Sequence, residues 1–248
     1  MKFGIISIFP QLFDSIFSFG VTARAVEKKL IECHFINPRA YTEDNYKRVD
    51  DRPFGGGPGM VMLYEPLAKA ISHAKELVGY DVPVVYVSPQ GKTLSQSMAN
   101  EFSLTSGMII LCGRYEGVDQ RIIDEFVDYE VSIGDYVLSG GELAAAVIID
   151  TVARMIPGVL NHKLSSQEDS FFDGLLDCPH YTRPRVLPSG EKVPDVLISG
   201  NHADIKRWRD MMKLGITRKK RPELIKRRCL SEYEKTLLNE YESSLKKK

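Results

Sequence analysis

Three short segments combine glycine with small polar residues and an aromatic ring, a composition that suits close contact between backbone and ligand. They cover residues 86–91, 111–117 and 132–142. Glycine exposes backbone N–H and C=O groups to a ligand, and Tyr115 and Tyr136 offer flat faces for stacking. One such segment is a weak signal, because most glycine-rich loops are only turns. Three of them favour a binding site.

The charges around these segments limit the class of ligand. Residues 101–150 hold ten acidic side chains against Arg114 and Arg121, and the third segment holds no basic one. This balance disfavours a polyphosphate and suits a neutral or cationic ligand with an adenine-like ring. The chain also lacks a Gly-x-x-x-x-Gly-Lys-Ser/Thr loop and a Gly-x-Gly-x-x-Gly opening the first helix, which argues against a P-loop and a standard dinucleotide fold.

The elements that must position these segments alternate between short apolar runs and helical patterns, which predicts an α/β domain with a mainly parallel sheet. Ligands bind beyond the carboxyl ends of such strands. The predicted strands are 3–9, 32–37, 82–87, 108–111 and 129–131. The predicted helices are 11–18, 23–30, 65–77, 95–101, 119–126 and 142–155. Residues 44–60, rich in glycine and proline, are predicted to form a long, mobile surface loop.

A second, smaller and mostly helical domain is predicted towards the carboxyl end. Pro157 and Gly158 end the last helix of the first domain, and a polar stretch follows. We predict an α/β domain over 1–160, a linker over 161–169 and a helical domain over 170–248. Its predicted helices are 201–214, 221–229 and 231–245.

The net charge of zero hides a strong asymmetry. Residues 201–248 hold 15 Lys and Arg against seven Asp and Glu, so the rest of the chain is acidic. Such a basic segment indicates either a polyanion-binding module or a solvated helical face. The candidate RNA-binding residues are Lys206, Arg207 and Arg209, with Trp208 among them, and the basic run 218–221. Trp208 could stack on a base or belong to the core.

The four cysteines and five histidines are scattered, and none has metal-ligand spacing. Cys178 and His180 form the closest pair, but two potential ligands make a poor zinc site. We therefore predict reduced thiols and no metal site. No apolar run approaches the roughly 20 residues that span a bilayer, and Pro10 and Asp14 interrupt the only signal-like stretch. A cytoplasmic protein with no membrane partner is expected.

Five motifs carry a resemblance to a known family. They cover residues 53–60, 113–117, 132–142, 177–184 and 199–202. With them, the chain resembles the bacterial tRNA (guanine-N1)-methyltransferases, the TrmD-type enzymes of the SPOUT class, from Met1 nearly to its end. Asn161 stands where the family pattern has glycine.

This resemblance implies S-adenosylmethionine as methyl donor and an α/β parallel-sheet domain with a deep trefoil knot. It implies a homodimer whose active sites are shared between subunits. The implied substrate is the guanine immediately 3′ of the tRNA anticodon, when another guanine precedes it. Whether Mg²⁺ assists is left open.

The resemblance also implies the catalytic residues: Asp169 as the base and Arg154 as the cation beside the guanine. Taken alone, Asp169 would be an acid in the first turn of a helix-like run over 170–176, and Arg154 a cation at a helix end. The implied cofactor-binding residues lie in the three segments. They are Tyr86, Ser88, Pro89, Gly113, Tyr115, Glu116, Gly117, Ser132, Ile133, Gly134, Asp135, Tyr136, Val137, Leu138, Gly140 and Gly141.

Two rival hypotheses remain. One is a SPOUT methyltransferase that acts on another RNA or base. The other is a noncatalytic RNA-binding protein that keeps the fold.

Overall fold

The structure is a computed structural model that describes residues 1–160 and 169–245. The chain forms two compact units, Met1–Lys163 and Leu164–Lys248. Asn161, the predicted linker except Asp169, and the last three lysines lie outside the described residues. We describe each unit by itself.

The first unit alternates strands and helices. Its strands are β1 (Lys2–Ile6), β2 (Glu32–Ile36), β3 (Asp50–Asp51), β4 (Val61–Met62), β5 (Val84–Thr93), β6 (Gly107–Cys112) and β7 (Tyr129–Ser132). Its helices are α1 (Asp14–Ser18), α2 (Gly20–Glu27), α3 (Tyr64–Val78), α4 (Gln96–Ser103), α5 (Gln120–Phe126) and α6 (Glu142–Ala153), with 3₁₀ turns over Pro10–Phe13 and Pro38–Tyr41.

Five strands form one parallel sheet in the order β2-β1-β6-β5-β7. The central strand β6 pairs with β1 on one side and with β5 on the other, and β7 pairs with β5. This confirms the predicted parallel α/β sheet. The carboxyl ends of β6 and β7 therefore lie on either side of the middle of β5, and the three glycine-rich segments meet at this edge of the sheet.

Helices cover both faces of the sheet. Successive residues along the strands point to opposite faces and are mostly apolar, so each face packs against a core. Phe3, Ile5 and Ile110 belong to one core cluster, which includes buried residues of α4 and α6. Ile6 and Leu111 belong to the other, with buried residues of α3 and α5. Burial on both faces is typical of parallel strands between helices.

Strand β5 is longer than predicted. It continues to Thr93, because Lys92 and Thr93 pair with Val131 and Ser132 of β7 after a register shift that begins beyond Val87. The segment predicted as a loop at the end of β5 is therefore a bulge within a strand. The predicted loop over 44–60 likewise contains β3, which pairs antiparallel with β4.

The second unit is helical, with α7 (His202–Lys220), α8 (Pro222–Lys226), α9 (Glu232–Leu245) and a 3₁₀ turn over Asp195–Ile198. Leu175, Leu214, Leu237 and Leu238 form its core. Helix α7 extends six residues beyond the predicted end at Leu214.

The prediction of a helix-like run over 170–176 is wrong. The described residues there form turns and bends, with Phe171 at a φ of 73° and Gly174 at a φ of 83°. The N–H of Asp177 donates to Ser170 Oγ at 2.9 Å, which closes the segment into a compact loop. Left-handed backbone at two positions cannot continue an α-helix.

Within the described residues, the helices are too short or too polar to cross a membrane.

Candidate active site

A cavity of about 250 Å³ lies at the carboxyl ends of β6 and β7, beside the bulge of β5. All three glycine-rich segments line it, together with Val131 and Ala144. Fifteen of the sixteen predicted cofactor-binding residues lie around it. The exception is Asp135, which is exposed. It lies in a turn in which the N–H of Tyr136 donates to the Gly134 carbonyl at 2.9 Å.

The first two segments meet at Tyr86 and Gly113. A Cβ on Gly113 would lie 2.9 Å from the Tyr86 ring, so only glycine lets the ring pack against the backbone there. Burial raises the pKa of the Tyr86 phenol, and the charge of Glu130 acts in the same direction. The Tyr86 hydroxyl is therefore a neutral wall of the cavity at physiological pH.

The second and third segments meet at Gly141. Its N–H donates to the Gly113 carbonyl at 2.9 Å. A Cβ on Gly141 would lie 2.5 Å from Val87 Cγ2 and 2.9 Å from the Cα of Cys112. The third segment can therefore lie against β5 and β6 only with glycine at this position.

The buried carboxylate of Glu142 holds the second and third segments in place through hydrogen bonds. It is 2% exposed, its Oε1 accepts from Ser7 Oγ at 2.7 Å, and its Oε2 accepts from Arg114 Nε at 2.9 Å. Arg114 also donates to the Ser139 carbonyl at 3.1 Å. Because buried charges need partners, this ion pair ties the end of β1 and both later segments into one arrangement.

Sequence patterns did not reveal this network, since Ser7 and Glu142 are 135 residues apart. The network has an electrostatic consequence for the cavity. Among the described residues that line the cavity, Arg114 is the one cation, and Glu142 neutralises it. Because Arg114 is neutralised, the exposed carboxylate of Glu116 gives the cavity a net negative charge. That charge suits a cationic ligand.

Tyr115 and Glu116 stand at the mouth of the cavity. Tyr115 has a φ of 60°, an unusual value for a residue with a side chain. Burial raises the pKa of its phenol, as do the charge of Asp50 and a hydrogen bond with Asp50, while Arg39 opposes the shift. The N–H of Glu116 donates to the Met60 carbonyl at 2.9 Å. The segment 44–60 thus borders the cavity through both residues.

The two residues assigned to catalysis lie in different units. Arg154 directly follows α6 in the first unit and is half-buried. Asp169 opens the compact loop of the second unit, where its carbonyl accepts from the Phe172 N–H at 3.4 Å. With no helix over 170–176, Asp169 does not occupy the first turn of one.

The basic residues of the second unit divide into two classes. Several form ion pairs within the unit, including Arg207 with Glu240 at 2.6 Å and Arg218 with Glu242 at 3.0 Å. Lys219 and Lys220 are exposed and form no ion pair within the described residues. Trp208 is half-buried, with its ring centroid 6.3 Å from that of Tyr181.

Asp177, Cys178 and His180 place three potential metal-binding atoms within 4.8 Å of one another. Asp177 is the third member that the spacing argument missed. Its Oδ2 already bonds His180 Nε2 at 2.7 Å, and Lys213 Nζ lies 3.9 Å from its Oδ1. Burial also raises the pKa of the Cys178 thiol. A nearby cation and a protonated thiol both disfavour a bound metal ion at these three residues.

The model of one family, described as tRNA (Guanine-1)-methyltransferase TrmD, matches residues 1–227. The chain belongs to the tRNA (guanine-1)-methyltransferase family. Among similar family members is a tRNA (guanine-N(1)-)-methyltransferase of Francisella philomiragia, 54% identical over 97% of this chain and 94% of that protein.

Proteins of the same name are found in Sodalis glossinidius and Salmonella schwarzengrund. The first is 53% identical and the second 54%, each over 98% of this chain and at least 95% of the relative. The tRNA (guanine-1)-methyltransferase family relationship therefore covers both units.

Proposed function

We propose that the chain transfers the methyl group of S-adenosylmethionine to N1 of the guanine immediately 3′ of a tRNA anticodon. The observation that carries the proposal is the glycine-framed cavity at the ends of β6 and β7 and the bulge of β5, in a chain of this family. The first unit would hold the donor and the second the tRNA, with 161–169 between them.

The residues around the cavity fit S-adenosylmethionine. Gly113 and Gly141 let the backbone close on a flat ligand, at positions where a Cβ would collide with neighbouring atoms. Tyr136 is exposed at the rim, where its ring can stack on an adenine. The Glu116 carboxylate offers a partner for the positive end of the donor, and Glu142 neutralises the cation Arg114.

The chemistry requires a base, because guanine N1 carries a proton at neutral pH. When bound, S-adenosylmethionine supplies an electrophilic methyl group on a sulfonium sulfur. Asp169 accepts the N1 proton, and the Arg154 guanidinium stabilises the negative charge that develops on O6. Because a sulfonium methyl group needs no activation, the cavity walls would only have to align it with N1.

A homodimer with shared active sites is part of the proposal, and helix α6 supports it. Leu143 and Val147 lie one turn apart and are 60% and 44% exposed, on a helix whose other apolar residues are mostly buried. Arg154 follows at the spacing of the same helical face. An apolar face that leads to a catalytic residue suits a partner subunit. The trefoil knot and the cytoplasmic location are likewise proposed from the family.

The test is methyl transfer from labelled S-adenosylmethionine to a tRNA transcript, with and without Mg²⁺. The control transcript has adenine in place of the guanine after the anticodon. We expect label on the first transcript and none on the second. Label on both would move the target to another base. No label on either, with donor binding intact, would favour a noncatalytic RNA-binding protein.

A further inference from the structure

One aromatic side chain projects fully into solvent from the segment that borders the cavity. Phe54 is 103% exposed, so it adds nothing to the core. Single exposed apolar residues are ordinary on protein surfaces. Its surroundings, rather than its exposure alone, indicate a role.

Phe54 is followed by three glycines, Gly55, Gly56 and Gly57. All three have positive φ, between 76° and 120°, and no atom lies within 4 Å of where a Cβ would stand on them. This tip, residues 53–58, therefore presents one ring in open space rather than an apolar patch. A single ring flanked by bare backbone offers too little area for a second protein chain.

The base of this tip is fastened to the cavity. Glu116 donates its N–H to the Met60 carbonyl at 2.9 Å, and Met62 donates to the Gly117 carbonyl at 2.9 Å. Gly59 packs so closely on the Glu116 side chain that a Cβ there would overlap it. Phe54 lies six residues before Met60, so its backbone stays within about 20 Å of that anchor.

The chemistry of the tip suits RNA. Proteins recognise unpaired RNA bases by stacking them on aromatic side chains. Arg52, two residues before Phe54, is exposed and can meet a phosphate. An aromatic ring and a guanidinium beside the cavity proposed to hold the methyl donor match a nucleotide adjacent to the target guanine.

We propose that Phe54 stacks on an unpaired RNA base adjacent to the target guanine and so holds that guanine at the cavity. The inference deepens the proposed function and rests on it. It assigns Phe54 to substrate binding and not to proton transfer.

The test compares Phe54→Leu and Phe54→Ala with Phe54→Tyr and Phe54→Trp. The first pair should weaken tRNA binding roughly 5- to 150-fold, the range for loss of one stacked base, and the second pair should preserve it. Affinity for S-adenosylmethionine should stay unchanged in all four. The matched control is Tyr80→Ala, because Tyr80 is 70% exposed and precedes β5, away from the carboxyl ends of the strands.

A second readout does not depend on methylation. An RNA hairpin carrying 2-aminopurine next to the target guanine should lose fluorescence on binding the wild-type protein, through stacking, and keep it on binding Phe54→Leu. Equal quenching and equal tRNA affinity for both proteins would overturn the inference. So would a Phe54→Leu variant that loses dimerisation or donor binding instead. Failure of the wild-type protein to methylate any transcript would overturn the proposed function separately.

Discussion

At the scale of single residues, the proposed chemistry depends on two side chains from different units. Asp169→Asn keeps the shape of the side chain and removes the proton acceptor. We expect kcat to fall by at least about a hundredfold, the low end for loss of a general base. Steady-state methyl transfer at saturating tRNA and donor measures this change, while donor affinity should remain at the wild-type level.

The matched control for this prediction is Asp173→Asn, in the same compact loop. The Asp173 carboxylate is exposed and accepts from the Leu175 N–H at 3.2 Å, a bond that an amide oxygen can replace. Its kcat should match that of the wild type. An Asp169→Asn enzyme with unchanged kcat would exclude Asp169 as the base.

Cys112 lies immediately before the second segment, which raises the question of its reactivity. It is completely buried. Burial raises its pKa well above the usual thiol value, and the charge of Glu142 adds to the shift, while Arg114 opposes it. Since the thiolate is the reactive form, Cys112 should resist alkylation in the folded protein.

Mass spectrometry after maleimide treatment checks this prediction. The exposed Cys229 should be labelled within minutes, and Cys112 only after denaturation. Labelling of Cys112 at the rate of Cys229 would contradict the packing around the cavity.

At the scale of elements, the packing of the second and third segments depends on which atoms lie next to Gly113 and Gly141. An alanine Cβ at position 141 would meet the backbone of Cys112, whereas one at position 113 would meet the Tyr86 side chain. Side chains move more easily than a central strand. Gly141→Ala should therefore weaken donor binding more than Gly113→Ala, as measured by titration calorimetry. Weaker donor binding by Gly113→Ala than by Gly141→Ala would show that the third segment moves more easily than the Tyr86 ring.

Local patterns predicted the elements of the first unit well. Short apolar runs indicated the strands of the parallel sheet, and the glycine-rich segments indicated the neighbourhood of the cavity. The bulge in β5 was missed because it depends on pairing with β7, a partner about 40 residues away. The Ser7–Glu142–Arg114 network was missed for the same reason.

In the second unit, local patterns predicted one helix that is absent and ended another helix too early. The helix predicted over 170–176 is absent, because hydrogen bonds to Ser170 and Thr217 close a loop there. Helix α7 continues past Leu214, because Gly215 lies against the Tyr241 ring instead of ending the helix. In each case a contact distant in sequence decides the local conformation.

At the scale of the whole molecule, the basic side chains of residues 201–248 divide into those held in ion pairs and those proposed to meet RNA phosphates. Arg207 and Arg218 join α7 to α9 through Glu240 and Glu242. The count of basic residues therefore overstates the number available to RNA phosphates. Lys219 and Lys220, which are exposed and form no ion pair with any residue that the structure describes, are the better candidates.

Salt dependence distinguishes the two groups of side chains. Lys219→Ala and Lys220→Ala should each reduce the slope of log affinity for tRNA against log salt by about 1. Arg207→Ala should lower the melting temperature and leave that slope nearly unchanged. Fluorescence titrations between low and high salt measure the slopes. Equal loss of slope in all three variants would mean that the ion pairs open on binding.

The pairing of β1 has a consequence for how the protein is made. Ile5 lies between Phe35 of β2 and Ile110 of β6, so the first strand to leave the ribosome needs a neighbour synthesised a hundred residues later. At about 5–20 residues per second, the nascent chain spends several seconds with one edge of β1 unpaired. That edge is a template for wrong pairing with other chains. We expect newly made chains to depend on chaperones during this interval, and a slowly translated β6 to lower the soluble yield.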